Sequence, residues 1–260
     1  MDFQFEKYQG SGNDFIILDD RRENFPHKDY NLIQNLCDRH YGIGADGLIL
    51  LRYSLDSDFK MLYFNSDGYP GSLCANGSRC VFAFAKKHQI VGDQGSFEAF
   101  DGIHNGIIIT DNQISIDMGD VMEIKKIGKD LFIDTGSPHH IVFVDGLSDL
   151  DVKTLGKAIR YGEPYLHEGS NANFVQKLNQ TEFNIRTYER GVEEETLACG
   201  TGAVAAAIAA HFSGLSFSDT ICINTLGGLL QVSFNHDSGH YKNIKLAGPA
   251  VFVFSGNLNT

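Results

Sequence analysis

The chain has 260 residues, against about 150 for a typical domain, so one or two domains with a proper hydrophobic core are expected. Hydrophobic residues make up 42% and charged residues 21%, a composition that excludes disorder as the main state. A surplus of 33 acidic over 21 basic side chains gives a net charge of −12, which repels phosphate backbones and anionic lipid; neither nucleic acid nor membrane is expected as a partner. In chain order, FIILD (15–19) reads as a strand, NLIQNLCDRH (31–40) as a helix, and LILLRY (48–53) and KMLYF (60–64) as strands. NGSRCVFAFAKKH (76–88) reads as a second helix, followed by strands at IIIT (107–110), ISIDM (114–118) and HIVFV (140–144). A helix over 151–160 precedes strands at NFVQK (173–177) and FNIRTY (183–188). The helical run GTGAVAAAIAAHFS (200–213) then leads to ICINT (221–225), LQVSF (230–234) and VFVF (251–254).

The first ten residues, MDFQFEKYQG, lack a basic segment followed by an apolar run, and the five cysteines show no CxxC spacing. A cytoplasmic protein with reduced thiols is expected. No pair of candidate ligands has finger-like spacing, so no metal is expected.

Laying the second half on the first with a shift of 125 or 126 aligns three segments in the same order. GSGNDFIIL (10–18) falls on GSPHHIVFV (136–144), GADGLIL (44–50) on GSNANFV (169–175), and CANGSRCVFAFA (74–85) on CGTGAVAAAIAA (199–210). The expected fold is α/β (α+β): two pseudo-symmetric domains, each a curved mixed sheet wrapped around a central helix, with the active site in the cleft between them. The halves are 1–119 and 120–260, with 249–260 able to pack back onto the first. The run AVAAAIAA (203–210), apolar all round, fits a helix covered on every side.

Residues 42–47, GIGADG, match the dinucleotide pattern GxGxxG, but that mechanism needs strand, glycines, then helix. Here a helix precedes and a strand follows, so a tight turn is the better reading. Cys74 and Cys199 carry more. Each precedes a small-residue turn and then a helix, which places a thiol and the next N–H groups at a positive helix end. Such an end lowers a thiol pKa and binds a carboxylate. Cys37, Cys80 and Cys222 read instead as small buried hydrophobes. Two thiols at matched positions of a twofold repeat suit inversion of a carbon that bears a proton, with a base on one face and an acid on the other.

GSGNDF (10–15), YGIGADG (41–47), YFNSDG (63–68), CANGSRC (74–80), GSPH (136–139), NANFV (171–175), YERG (188–191) and ACGTGA (198–203) together resemble the diaminopimelate epimerases, almost end to end and in the right order. The resemblance implies a cofactor-independent isomerase that interconverts LL- and meso-2,6-diaminopimelate, in lysine and peptidoglycan precursor synthesis, as a homodimer. It implies Cys74 and Cys199 as the two catalytic residues, with His139 and Glu189 tuning the thiols. Asn13, Asn65 and Asn171 would hold the distal end of the substrate, with Glu189 on its ammonium and Arg190 on its carboxylate. The N–H groups of Ala75, Asn76, Gly200 and Thr201 would take the proximal carboxylate. The chain departs from the family pattern at Ala75, usually Gly, at Ser137, often Asn, and at Phe254, a Tyr implicated in dimerisation in some members. Three other readings remain: a proline or hydroxyproline racemase of the same fold, a thiol-disulfide redox protein using Cys74 and Cys199, and a non-catalytic amino-acid-binding module. Epimerase chemistry requires α-proton exchange, which the last two lack.

Overall fold

Seven strands and two helices make up the first stretch of the computed structural model, which describes residues 2–259. They are β1 (Asp2–Gly10), β2 (Asn13–Asp19), α1 (Tyr30–Cys37), β3 (Gly47–Arg52), β4 (Phe59–Asn65), α2 (Ala75–Lys87), β5 (Gln94–Ala99), β6 (Gly102–Thr110) and β7 (Gln113–Asp117). β1 pairs antiparallel with β2, β2 parallel with β3, β3 antiparallel with β4 and β4 parallel with β5. β5, β6 and β7 follow as antiparallel neighbours. Each parallel step needs a crossover, and α1 and α2 supply the two. Every residue of β3, GLILLR, is buried because a helix covers each face of the sheet. Ile16, Leu18, Leu48 and Leu50 pack with Ile33 and Leu36 of α1. On the opposite face Phe15, Ile49 and Met61 close on Gly77 of α2.

The second stretch contains β8 (Ile124–Ile127), β9 (Asp130–Asp134), β10 (Pro138–Phe143), α3 (Val152–Tyr161), β11 (Asn171–Lys177), β12 (Glu182–Glu189), β13 (Glu194–Thr196), α4 (Gly200–Phe212), β14 (Thr220–Thr225), β15 (Gly228–Asp237) and β16 (His240–Pro249). β9 pairs antiparallel with β10, β10 parallel with β11, β11 antiparallel with β12, β12 parallel with β14, and β14 to β16 antiparallel. This is the pairing scheme of β1 to β7. The register repeats as well, 126 residues on: Phe15 pairs with Gly47, and Ile141 with Asn173. α4 packs against β9 to β12, β14 and β15, and its six alanines let the strands approach closely on all sides. Val152 and Ile159 of α3 cover the other face with Phe174 and Tyr188.

The chain then returns as β17 (Val251–Asn259), antiparallel to β1, which brings Leu258 into the cluster around Phe5. The two compact units are therefore the residues up to Ile116 with those from Gly248, and Asp117–Ala247. The architecture is a mixed α+β fold built on a duplicated scheme. No helix among the described residues is long and apolar enough to cross a membrane.

Candidate active site

In the first unit Cys74 is the N-cap of α2, with extended backbone (φ −104°, ψ 106°), and its Sγ accepts the Gly77 N–H at 3.5 Å. An N-cap needs a short side chain with an acceptor, a place usually filled by Ser, Thr, Asp or Asn. Here sulfur fills it, so the positive helix end and an N–H both favour negative charge on Sγ. The thiol also faces an acceptor, Asn13 Oδ1, at 3.6 Å. Asn76 Nδ2 donates to the same oxygen at 3.4 Å, and Arg79 Nη2 donates to Asn76 Oδ1 at 2.7 Å. Arg79 is fully buried, and burial lowers its guanidinium only to about 10, so it stays charged. The amide of Asn13 is held from the other side by Asp46, at 2.6 Å. Arg39 bridges Asp46 and Asp14, and Lys7 pairs with Asp14 at 2.8 Å. Burial pushes the Asp14 carboxyl up, but its bonds to Arg39 and Lys7 outweigh this and hold it down at about 2.

The second unit repeats the arrangement. Cys199 is the N-cap of α4 (φ −111°, ψ 112°), and its Sγ accepts the Gly202 N–H at 3.4 Å. Its side-chain neighbour is Thr201 Oγ1, also at 3.4 Å. Thr201 Oγ1 lies 2.9 Å from His139 Nε2, and His139 Nδ1 lies 3.1 Å from Asn173 Nδ2. Burial pushes the His139 imidazole down to about 3, and the positive charge of Arg190 acts in the same direction. His139 is therefore neutral at any working pH. Burial pushes the Cys80 thiol up and takes Cys37 to about 12, whereas Cys222, expected as a buried hydrophobe, is only half-buried on β14.

The other expected residues are placed as follows. Ala75 opens α2 and so has helical backbone, which lets its N–H stand at the helix end as a glycine's would. Asn76 shares that first turn, and Gly200 and Thr201 form the first turn of α4. Asn171 Nδ2 donates to Ser137 Oγ at 2.9 Å and to Pro138 O at 2.8 Å, while its Oδ1 accepts the Arg190 N–H at 2.8 Å. Ser137 is thus tied to Asn171. Glu189 accepts from the Thr196 hydroxyl at 2.9 Å, and the Arg190 guanidinium donates to Glu168 O at 3.0 Å. Asn65 ends β4 on an exposed turn, its N–H bonded to Tyr69 O at 2.9 Å. The structure groups Asn13, Ala75 and Asn76 around Cys74, and His139, Gly200 and Thr201 around Cys199.

Asp46, Asn173 and Thr187 escape the sequence reading. Asp46 lies in the GIGADG turn between α1 and β3, where only the glycines draw attention; Gly44 there takes φ +81°. Asn173 shares a face of β11 with Asn171, and that two-residue spacing is the signal that could have found it.

Solved structures of this architecture define the class first. A phenazine biosynthesis protein of the PhzF family from Bacillus anthracis superposes with a TM-score of 0.79 at 14% identity, covering 100% of both chains. A probable proline racemase from Agrobacterium radiobacter K84 superposes at 0.71 with 13% identity, covering 99% of this chain and 93% of that one. At such identities the likeness establishes the fold. The family is given by sequence: the diaminopimelate epimerase model matches residues 5–124 and 131–253. A diaminopimelate epimerase from Flavobacterium psychrophilum is 52% identical over 95% of this chain and 97% of its own length. One from Hydrogenobaculum sp. is 40% identical over 97% of each chain, and one from Aquifex aeolicus 38% over 98% of each. The chain belongs to the diaminopimelate epimerase family.

Proposed function

We propose that this chain is a cofactor-independent isomerase that interconverts LL- and meso-2,6-diaminopimelate, in lysine and peptidoglycan precursor synthesis. The observation that carries the reading is the pair of thiol-capped helices: Cys74 and Cys199 open two 13-residue helices, and each sulfur accepts the N–H three residues on. Cys74 and Cys199 serve as the two bases, one removing the α-proton as thiolate and the other delivering a proton as thiol, with roles exchanged in reverse. In the LL-to-meso direction Cys74 is the donor and Cys199 the acceptor. The first-turn N–H groups of Ala75, Asn76, Gly200 and Thr201 bind the proximal carboxylate and stabilise the charge that develops when the proton leaves. Asn13, Asn65, Asn171, Glu189 and Arg190 take the distal amino-acid end, and His139 and Glu189 tune the thiols. The reading extends to a cytoplasmic location and to a homodimer, the latter supported by the exposed Phe252, Val253 and Phe254 on β17. The test is turnover of LL-diaminopimelate in deuterium oxide without added cofactor. Early product should carry α-deuterium while remaining substrate stays protiated; equal early deuterium in both pools would mean a single base. Comparable turnover of proline would instead favour the racemase reading, which rests on fold alone.

A further inference from the structure

His139 on β10, Asn173 on β11 and Thr187 on β12 stand on three neighbouring strands, with Asn173 directly opposite Thr187. All three are buried beneath the first turn of α4, where a Cβ on Gly202 would come within 2.7 Å of Asn173 Oδ1. Chemistry fixes the direction of their hydrogen bonds. Asn173 Nδ2 lies 3.1 Å from His140 O and 3.4 Å from Asn171 O, and carbonyls only accept, so that atom is the amide nitrogen. At the other end of the amide, the Thr187 hydroxyl donates to Asn173 Oδ1 at 3.0 Å. An N–H donor therefore faces His139 Nδ1 at 3.1 Å, and Nδ1 must present its lone pair. The ring proton is then on Nε2, which donates to Thr201 Oγ1 at 2.9 Å. With that oxygen accepting, the Thr201 proton is left for Cys199 Sγ, 3.4 Å away.

We propose that Asn173 and Thr187 are positioning residues for Cys199: they lock His139 as its Nε2–H tautomer, so that a line of donors from Thr187 through Asn173, His139 and Thr201 ends on the Cys199 sulfur and stabilises its thiolate. The proposal rests on the reading of Cys199 as one of the two bases. The repeat gives it a counterpart of opposite polarity. Asn13 and Asn76 occupy the places in the first unit that His139 and Thr201 occupy in the second, and they offer Cys74 an acceptor, Asn13 Oδ1, at 3.6 Å. One sulfur meets a side-chain donor and the other an acceptor, so these contacts favour the thiolate at Cys199 and the thiol at Cys74. Burial and the positive charge of Arg190 both keep His139 neutral.

Two measurements on the free enzyme test this without turnover. Nitrogen-15 NMR of the labelled imidazole should find His139 as Nε2–H with a bare Nδ1; an Nδ1–H or doubly protonated ring overturns the proposal. The second is alkylation by iodoacetamide against pH, resolved by peptide mass spectrometry, with Cys74 as internal reference. Thr187→Val removes the anchoring donor, and Asn173→Asp replaces the donor facing Nδ1 by an acceptor. Each should raise the midpoint of the Cys199 profile by about one pH unit, roughly tenfold slower alkylation below the midpoint, as loss of a hydrogen bond to a charged sulfur implies. Thr187→Ser should restore the wild-type profile. Should Asn173→Asp fail to fold, Thr187→Val and the tautomer still decide; an unchanged Cys199 profile in folded Thr187→Val overturns the proposal. A protein with the expected tautomer and profiles but no α-proton exchange would count against the epimerase reading and leave the positioning roles intact.

Discussion

His139 is a titratable group that the fold forbids to titrate. It is fully buried, with its ring between an amide donor and a hydroxyl, and burial takes its pKa from the ordinary 6.5 to about 3. In the unfolded chain the same ring takes up a proton below pH 6.5, so between pH 6.5 and 3 the unfolded state binds one proton more than the native state. Stability therefore rises with pH in that window and is lost on acidification, by about 1 kcal/mol per pH unit from this group. Urea unfolding at pH 6.5 and pH 5 should show the loss in the wild type. In His139→Gln the part of the slope owed to this ring should vanish; an unaltered slope would mean that His139 is protonated in the folded protein.

At the scale of the element, α2 and α4 are near copies whose first turns tolerate different things. Gly77 and Gly202 are equivalent in the repeat, and each donates its N–H to the cap sulfur. A Cβ on Gly77 would meet the side-chain ends Ile49 Cδ1 at 3.0 Å, Met61 Cε at 3.4 Å and Phe15 Cε1 at 3.4 Å. The Ile and Met ends can give, and alanine brings about 1 kcal/mol of helix propensity, so Gly77→Ala should alter stability by no more than about 1 kcal/mol. A Cβ on Gly202 would meet Asn173 Oδ1 at 2.7 Å and Cys199 Sγ at 3.3 Å, and the amide is bonded at both ends. Gly202→Ala should therefore displace the Asn173 and Cys199 side chains and lower kcat by at least about tenfold, while Gly77→Ala keeps most activity. Steady-state kinetics of the two variants, with thermal melts, checks the contrast.

The same elements show what the sequence made legible. Runs with strong period, such as ICINT within β14 and the apolar 203–210 within α4, announce themselves because both neighbours along the chain and burial agree. β1 does not: DFQFEKYQG carries Lys7 at a buried position, tolerable only because Asp14 and the Gly44 carbonyl receive its charge. β8, IKKI, has two exposed lysines at its centre, and β16 ends in Gly-Pro. The thiol-capped helix starts were readable because cap, turn and helix are contiguous in sequence. Asn173, Thr187 and Asp46 were not, because each acquires its meaning from a partner on another strand or turn.

On the scale of the whole molecule, the chain begins and ends in the same unit. β17 runs antiparallel along β1 from Gln9–Val251 to Phe3–Leu258, and Leu258 joins Phe5 in the core. Truncation after Ala250 would strip β1 of one of its two ladders and open that cluster, so the shortened protein should aggregate or fall to protease faster than the full chain, with its first-unit peptides cut first. Limited proteolysis followed by mass spectrometry would reveal this; a truncated protein as resistant as the full chain would show that β17 is dispensable.

That returning strand also sets a timetable. During synthesis β1 to β7 leave the ribosome before the second unit, yet β17, the second partner of β1, follows that entire unit. The second unit, continuous in sequence from Asp117 to Ala247, has all its strands before the first has its last. The half made earliest is thus finished latest, and a stalled or prematurely terminated ribosome releases no complete Cys74 half.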